Sequence, residues 1–67
     1  MPTGTVKWFN ADERYGFILP DEPGPEIFVH QSQILSGQPL REGQEVRYEV
    51  QTSPKGPLAI CVEIAAS

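Results

Sequence analysis

Two short stretches decide the reading: Tyr15-Gly16-Phe17-Ile18-Leu19 and Ile27-Phe28-Val29-His30. Between them lies Pro20-Asp21-Glu22-Pro23-Gly24-Pro25, a loop punctuated by proline and glycine. Side chains on a strand point alternately to opposite faces. Tyr15, Phe17 and Leu19 therefore share one face opposite Gly16 and Ile18, and Phe28 and His30 share one face opposite Ile27 and Val29. Both stretches are rich in β-branched and aromatic residues and are too short for ordinary helices, so they read as neighbouring strands.

Working outward, seven prolines and six glycines divide the chain into pieces of at most eleven residues, which leaves little room for a helix. Five segments carry strand composition: residues 5–10, 15–19, 26–30, 45–51 and 58–64. Asn10-Ala11-Asp12-Glu13-Arg14 and Ser53-Pro54-Lys55-Gly56-Pro57 supply polar turns. Residues 31–44 form a crossover whose start, Gln31 to Ser36, suits one helical or 3₁₀ turn. Val46, Tyr48 and Val50 alternate with Arg47 and Glu49 as a half-buried strand does. In the last segment the alanines favour helix, but Ile60, Val62 and Ile64 at period two tip it to strand. The expected architecture is all-β, a five-stranded antiparallel barrel, in one domain over residues 1–67 with Ala65-Ala66-Ser67 frayed. Val6, Ile18, Ile27, Val29, Val46, Val50, Ile60 and Val62 are the expected filling.

A chain of 67 residues is short for an enzyme. A domain of about 60 residues buries only about 60% of its unfolded surface, and it has no second lobe to close a catalytic cleft. Five basic residues stand against nine acidic ones, for a net charge of −4. That balance argues against coating duplex DNA through bulk positive charge. With one cysteine and one histidine, neither a disulfide nor a zinc site is expected, and no other metal or cofactor is. Cys61, inside Leu58-Ala59-Ile60-Cys61-Val62, reads as a small buried hydrophobe. The longest apolar run is those five residues, so neither a signal peptide nor a membrane span is expected, and a cytoplasmic monomer is.

Once the aliphatics fill the barrel, the aromatics are left over. Alternation alone lets Phe17 and Phe28 face either the core or solvent, and it puts Trp8 on the face of Val6 unless the first strand bulges. If they face outward, Trp8, Tyr15, Phe17, Phe28 and His30 make a patch suited to stacking unpaired bases. Every base has a π-face, and each stack is worth about 1–3 kcal/mol. Lys7, Arg14 and Lys55 can meet phosphates, and the Trp8 indole N–H and the amides of Asn10 and Gln31 can reach base edges. With about three such cations, the salt dependence of binding to a single strand should be shallow, with a log–log slope of about −2.

Lys7-Trp8-Phe9-Asn10, Tyr15-Gly16-Phe17-Ile18 and Ile27-Phe28-Val29-His30 closely resemble, in order and spacing, the first-strand signature and the two ribonucleoprotein motifs of bacterial cold-shock proteins. The resemblance extends to Glu42-Gly43-Gln44 and Lys55-Gly56-Pro57. It implies an OB-fold, a Greek-key β-barrel that binds single-stranded RNA or DNA and serves as an RNA chaperone or as a regulator of transcription or translation. Carried over by position, the platform is Trp8, Phe17, Phe28 and His30, with Tyr15 in place of a phenylalanine. Lys7 and Lys55 match basic positions, Asn10 a polar contact and Phe9 a partly buried aromatic. Three departures imply a shorter or weaker site. Glu13-Arg14 replaces a Lys-Gly pair, Gln31 stands where a stacking phenylalanine is common, and the crossover is about two residues shorter and lacks an aromatic. The same departures motivate an alternative, a degenerate cold-shock fold that acts through protein interaction. An RNA-recognition motif would need two helices for which there is no room.

Overall fold

The computed structural model describes residues 1–65. Its strands are β1 (Thr3–Asn10), β2 (Tyr15–Pro20), β3 (Ile27–His30), β4 (Glu45–Ser53) and β5 (Gly56–Ile64), with a single 3₁₀ turn at Gln31–Gln33 after β3. They close into a barrel in the order β1-β2-β3-β5-β4. Four seams are antiparallel, and the fifth, β3 to β5, is a short parallel contact at Phe28↔Leu58 and Val29↔Ala59. The five-stranded barrel expected from the sequence is present, antiparallel at every seam but this one. A closed ring with an odd number of strands cannot alternate direction all the way round, so one parallel pair is forced.

The core holds Val6, Ile18, Ile27, Val29, Ile34, Leu40, Val46, Tyr48, Ala59 and Val62. Two of these, Ile34 and Leu40, come from the crossover, which covers one end of the barrel as well as connecting β3 to β4. Leu35 N–H donates to Val62 O at 2.8 Å and anchors that cover. Tyr48 is fully buried, and its hydroxyl donates to Thr3 O at 3.3 Å. Burial first, then the negative charges of Asp21 and Glu22, raise the Tyr48 pKa above the ordinary tyrosine value.

Two expected core residues are corrected. Val50 is 46% exposed, and Ile60 is only half-buried. Cys61, expected inside, is exposed and has φ +52. Val50 keeps the face of Val46 and Tyr48 but lies at the open concavity lined by Pro20, Asp21 and Pro57. For Ile60 the cause is a β-bulge: Arg47 pairs with Glu63 and Glu49 with Ile60, so Cys61 and Val62 together oppose Tyr48. The extra residue breaks the alternation between Ile60 and Val62, so Ala59 and not Ile60 faces inward together with Val62. Ala65, expected to fray, donates its N–H to Glu45 O at 2.9 Å. The rest of that expectation, Ala66 and Ser67, lies outside the described residues.

Candidate nucleic-acid interface

A second bulge places Trp8. Val6 pairs with Ile18 but Trp8 pairs with Phe17, so β1 takes two steps where β2 takes one, and Lys7 is the extra residue. Strict alternation would have kept Trp8 with the buried Val6. The bulge puts it on the outer face with its partner Phe17, and by the same register Asn10 joins Tyr15 there. Phe9 turns inward and packs against the core opposite Gly16. A Cβ at Gly16 would lie 2.3 Å from Trp8 O and 2.8 Å from both Cα and Cδ2 of Phe9. The missing side chain is thus what lets β1 coil tightly over β2.

Register then brings the aromatics together, since Phe17 pairs with Phe28 and Tyr15 with His30. Trp8 lies 5.4 Å, centroid to centroid, from both Tyr15 and Phe17. Tyr15 and Phe28 stack at 5.6 Å with 20° between their planes, and Phe17 meets Phe28 edge to face at 5.7 Å. These distances are in the favourable range for aromatic pairs, so the rings hold one another in place while remaining half-exposed.

The polar candidates ring this patch, and several are already engaged. Lys7 Nζ is 3.1 Å from both carboxylate oxygens of Glu26, an exposed ion pair worth about 0–1 kcal/mol that a phosphate can displace. Asn10 Oδ1 accepts from Asp12 N at 2.9 Å and Glu13 N at 3.1 Å, closing the hairpin loop. Arg14 ends that loop at φ +63, a left-handed conformation that favours glycine, with its N–H donating to Asn10 O and its carbonyl accepting from Gln31 N. Gln31 Nε2 donates to Gly37 O at 3.0 Å, so this amide ties down the crossover with one of its two N–H donors and keeps the other and its oxygen for a ligand. His30 is exposed at the end of β3.

Lys55 stands across from the rings. With Phe17, Phe28, Ser53, Pro54, Pro57 and Leu58 it lines a groove of 520 Å³. Of these, the sequence singled out only Lys55 and the two phenylalanines. The Ser-Pro-Lys-Gly-Pro turn signals a hairpin, and nothing in it signals that β3 and β5 become neighbours. Nor does the sequence signal that Glu26 becomes the partner of Lys7. Another concavity, of 490 Å³, is lined by Asp21 and Glu22 alongside Pro20, Ile27, Tyr48 and Val50, and its charge repels a phosphate backbone. Among the described residues no cluster of three or more His, Cys, Asp or Glu side chains is placed to hold a metal, and no helix is long and apolar enough to cross a membrane.

The family model described as the 'Cold-shock' DNA-binding domain matches residues 2–65. The probable cold shock protein A of Mycolicibacterium smegmatis is 49% identical over 88% of this chain and 91% of its own. The cold shock-like protein CspA of Bordetella pertussis is 44% identical over 96% and 98%. Among solved structures, drosophila Unr CSD456 superposes with a TM-score of 0.80 at 21% identity, covering 97% of this chain and 26% of that one, which shows a shared fold. A closed five-stranded barrel, three motifs in order and the match of nearly the whole chain to one domain model lead to one conclusion: the chain belongs to the cold-shock DNA-binding domain family.

Proposed function

We propose that the protein is a non-enzymatic, monomeric module of the cytoplasm that captures unpaired stretches of RNA or single-stranded DNA by stacking bases on Trp8, Tyr15, Phe17, Phe28 and His30. The observation that carries this reading is the continuous, half-exposed aromatic patch on a chain of net charge −4. A protein with so little positive charge cannot hold a strand through phosphates alone. At about 1–3 kcal/mol per stacked base, three or four bases supply useful affinity without it. Lys7, Arg14 and Lys55 add local phosphate contacts, Asn10 and Gln31 reach base edges, and Phe9 supports the platform from below.

Binding strands but not duplex shifts hairpins toward the open form by mass action, without ATP. That is the action of an RNA chaperone, or of a regulator of transcription or translation. The cold shock names of the relatives agree with this role. With Gln31 tied to Gly37 instead of offering a ring, the footprint is expected to be short.

Trp8 is the only tryptophan and reports directly on stacking. Titration with oligothymidine should quench its fluorescence at concentrations where a stable hairpin and a duplex do not. Absence of quenching at every accessible concentration would overturn this reading in favour of a protein partner for the same face.

A further inference from the structure

The polar groups at the Tyr15 end of the platform are not free to choose between donating and accepting. Asn10, Tyr15 and His30 form one cross-strand row, with Asn10 paired to Tyr15 and Tyr15 to His30. Adjacent strands lie about 4.8 Å apart, so the two polar side chains flank the Tyr15 ring. Each has one of its polar atoms consumed by nearby groups of the protein. Asn10 Oδ1 takes the N–H groups of Asp12 and Glu13, which leaves the NH₂ to face a ligand.

His30 is constrained in the same way by Ser32. The Ser32 N–H points at His30 Nδ1 at 3.1 Å, and the Ser32 hydroxyl oxygen lies 2.9 Å from the same nitrogen. A backbone N–H can only donate, so Nδ1 must carry a lone pair. In the neutral imidazole the proton is then on Nε2, the atom pointing away from Ser32. This side-chain cap also starts the 3₁₀ turn at Gln31–Gln33, so the ring is held by the element that follows it.

The geometry points to Ser32 as a positioning residue of the binding face: it locks His30 as the Nε2–H tautomer, so that His30 and Asn10 present donors on both sides of Tyr15 and take acceptor oxygens of a strand stacked there. This inference rests on the single-strand reading and deepens it. The acceptor chemistry is shared by base keto groups and phosphate oxygens.

The tautomer is read in the free protein by long-range ¹H–¹⁵N correlation of the imidazole, independently of any ligand. The expected result is a protonated Nε2 and a bare Nδ1. Ser32→Ala removes the hydroxyl clamp, and Ser32→Thr retains it. The alanine variant keeps the backbone N–H and with it the Nε2–H tautomer, but it loses the second hold on the ring and should weaken oligothymidine binding about three- to tenfold, the size of one neutral hydrogen bond, with the threonine variant restoring it. Repeating the comparison on a hexathymidine with neutral methylphosphonate linkages separates the sources: a penalty that persists assigns the oxygen to a keto group, and one that vanishes assigns it to phosphate. An Nδ1–H tautomer in the wild type overturns the proposal. So does a Ser32→Ala variant that binds oligothymidine as the wild type does, and that result leaves the single-strand reading standing. A wild type that binds no strand sinks the single-strand reading and the acceptor role with it.

Discussion

Replacing Arg14 with glycine should stabilise the protein and weaken its hold on a strand, two effects that separate cleanly in measurement. Arg14 sits at φ +63, where an L-residue costs roughly 1–2 kcal/mol that glycine avoids. Glycine gives back about 0.5–1 kcal/mol through its greater freedom in the unfolded chain. The net gain is about 0.5–1 kcal/mol. Both backbone hydrogen bonds of the residue, Arg14 N–H to Asn10 O at 2.7 Å and Gln31 N–H to Arg14 O at 2.8 Å, survive the change. The guanidinium has no ion-pair partner among the described residues, so its removal costs little folding energy. In a domain of this size 1 kcal/mol moves Tm by about 4–8 °C, so thermal unfolding followed by circular dichroism should show a rise of about 2–8 °C. In the Trp8 titration with oligothymidine across a salt series, loss of one phosphate contact should flatten the slope from about −2 to about −1.3. Arg14→Lys keeps both the strain and the charge and should change neither quantity. A fall in Tm for the glycine variant would refute the strain argument, and an unchanged slope would remove Arg14 from the binding face.

Three further outcomes follow from the same structure. Phe28→Ala, at the junction of the Tyr15 stack and the Phe17 edge contact, should lose about 1–3 kcal/mol of oligothymidine affinity, roughly 5- to 150-fold by fluorescence titration. Gly16→Ala drives a Cβ to 2.3 Å from the backbone oxygen of Trp8, where no rotamer can relieve it. It should cost about 3 kcal/mol and lower Tm by roughly 12–24 °C. That is a large part of the roughly 3–10 kcal/mol typical for a domain of this length. Because the folded-state pKa of Tyr48 is raised, its contribution to stability is fully present below the unfolded value of about 10 and is lost as pH rises beyond it. Urea unfolding from pH 8 to 11 should show that decline in the wild type, and Tyr48→Phe should lack the part due to this hydroxyl.

Much of this was open to reading in the chain itself. Alternation in 15–19 and 27–30 separated Ile18, Ile27 and Val29, which are buried, from Tyr15, Phe17, Phe28 and His30, which are not. It worked there because β2 and β3 pair without interruption over Tyr15↔His30 to Ile18↔Ile27. It failed wherever a bulge added a residue. Lys7 reverses the expected side of Trp8, and the Cys61–Val62 pair puts Ala59 inside in place of Ile60. The crossover was legible as a connection with a 3₁₀ start, but not as the source of Ile34 and Leu40 in the core.

Local chemistry is set by the order of residues, because a strand's two faces follow from steric rules that act over two or three positions. The sequence by itself therefore determined the five strands, the breakers between them and the inventory of rings and scarce cations. Tertiary structure decided which rings meet, that Lys55 comes to stand over Phe17 and Phe28, that Lys7 finds Glu26, and that the polar atoms of Asn10, His30 and Gln31 are half spent before any ligand arrives. Those outcomes depend on register, bulges and the parallel closure of β3 on β5, which are fixed only when the barrel packs as a whole and every strand must satisfy two neighbours at once.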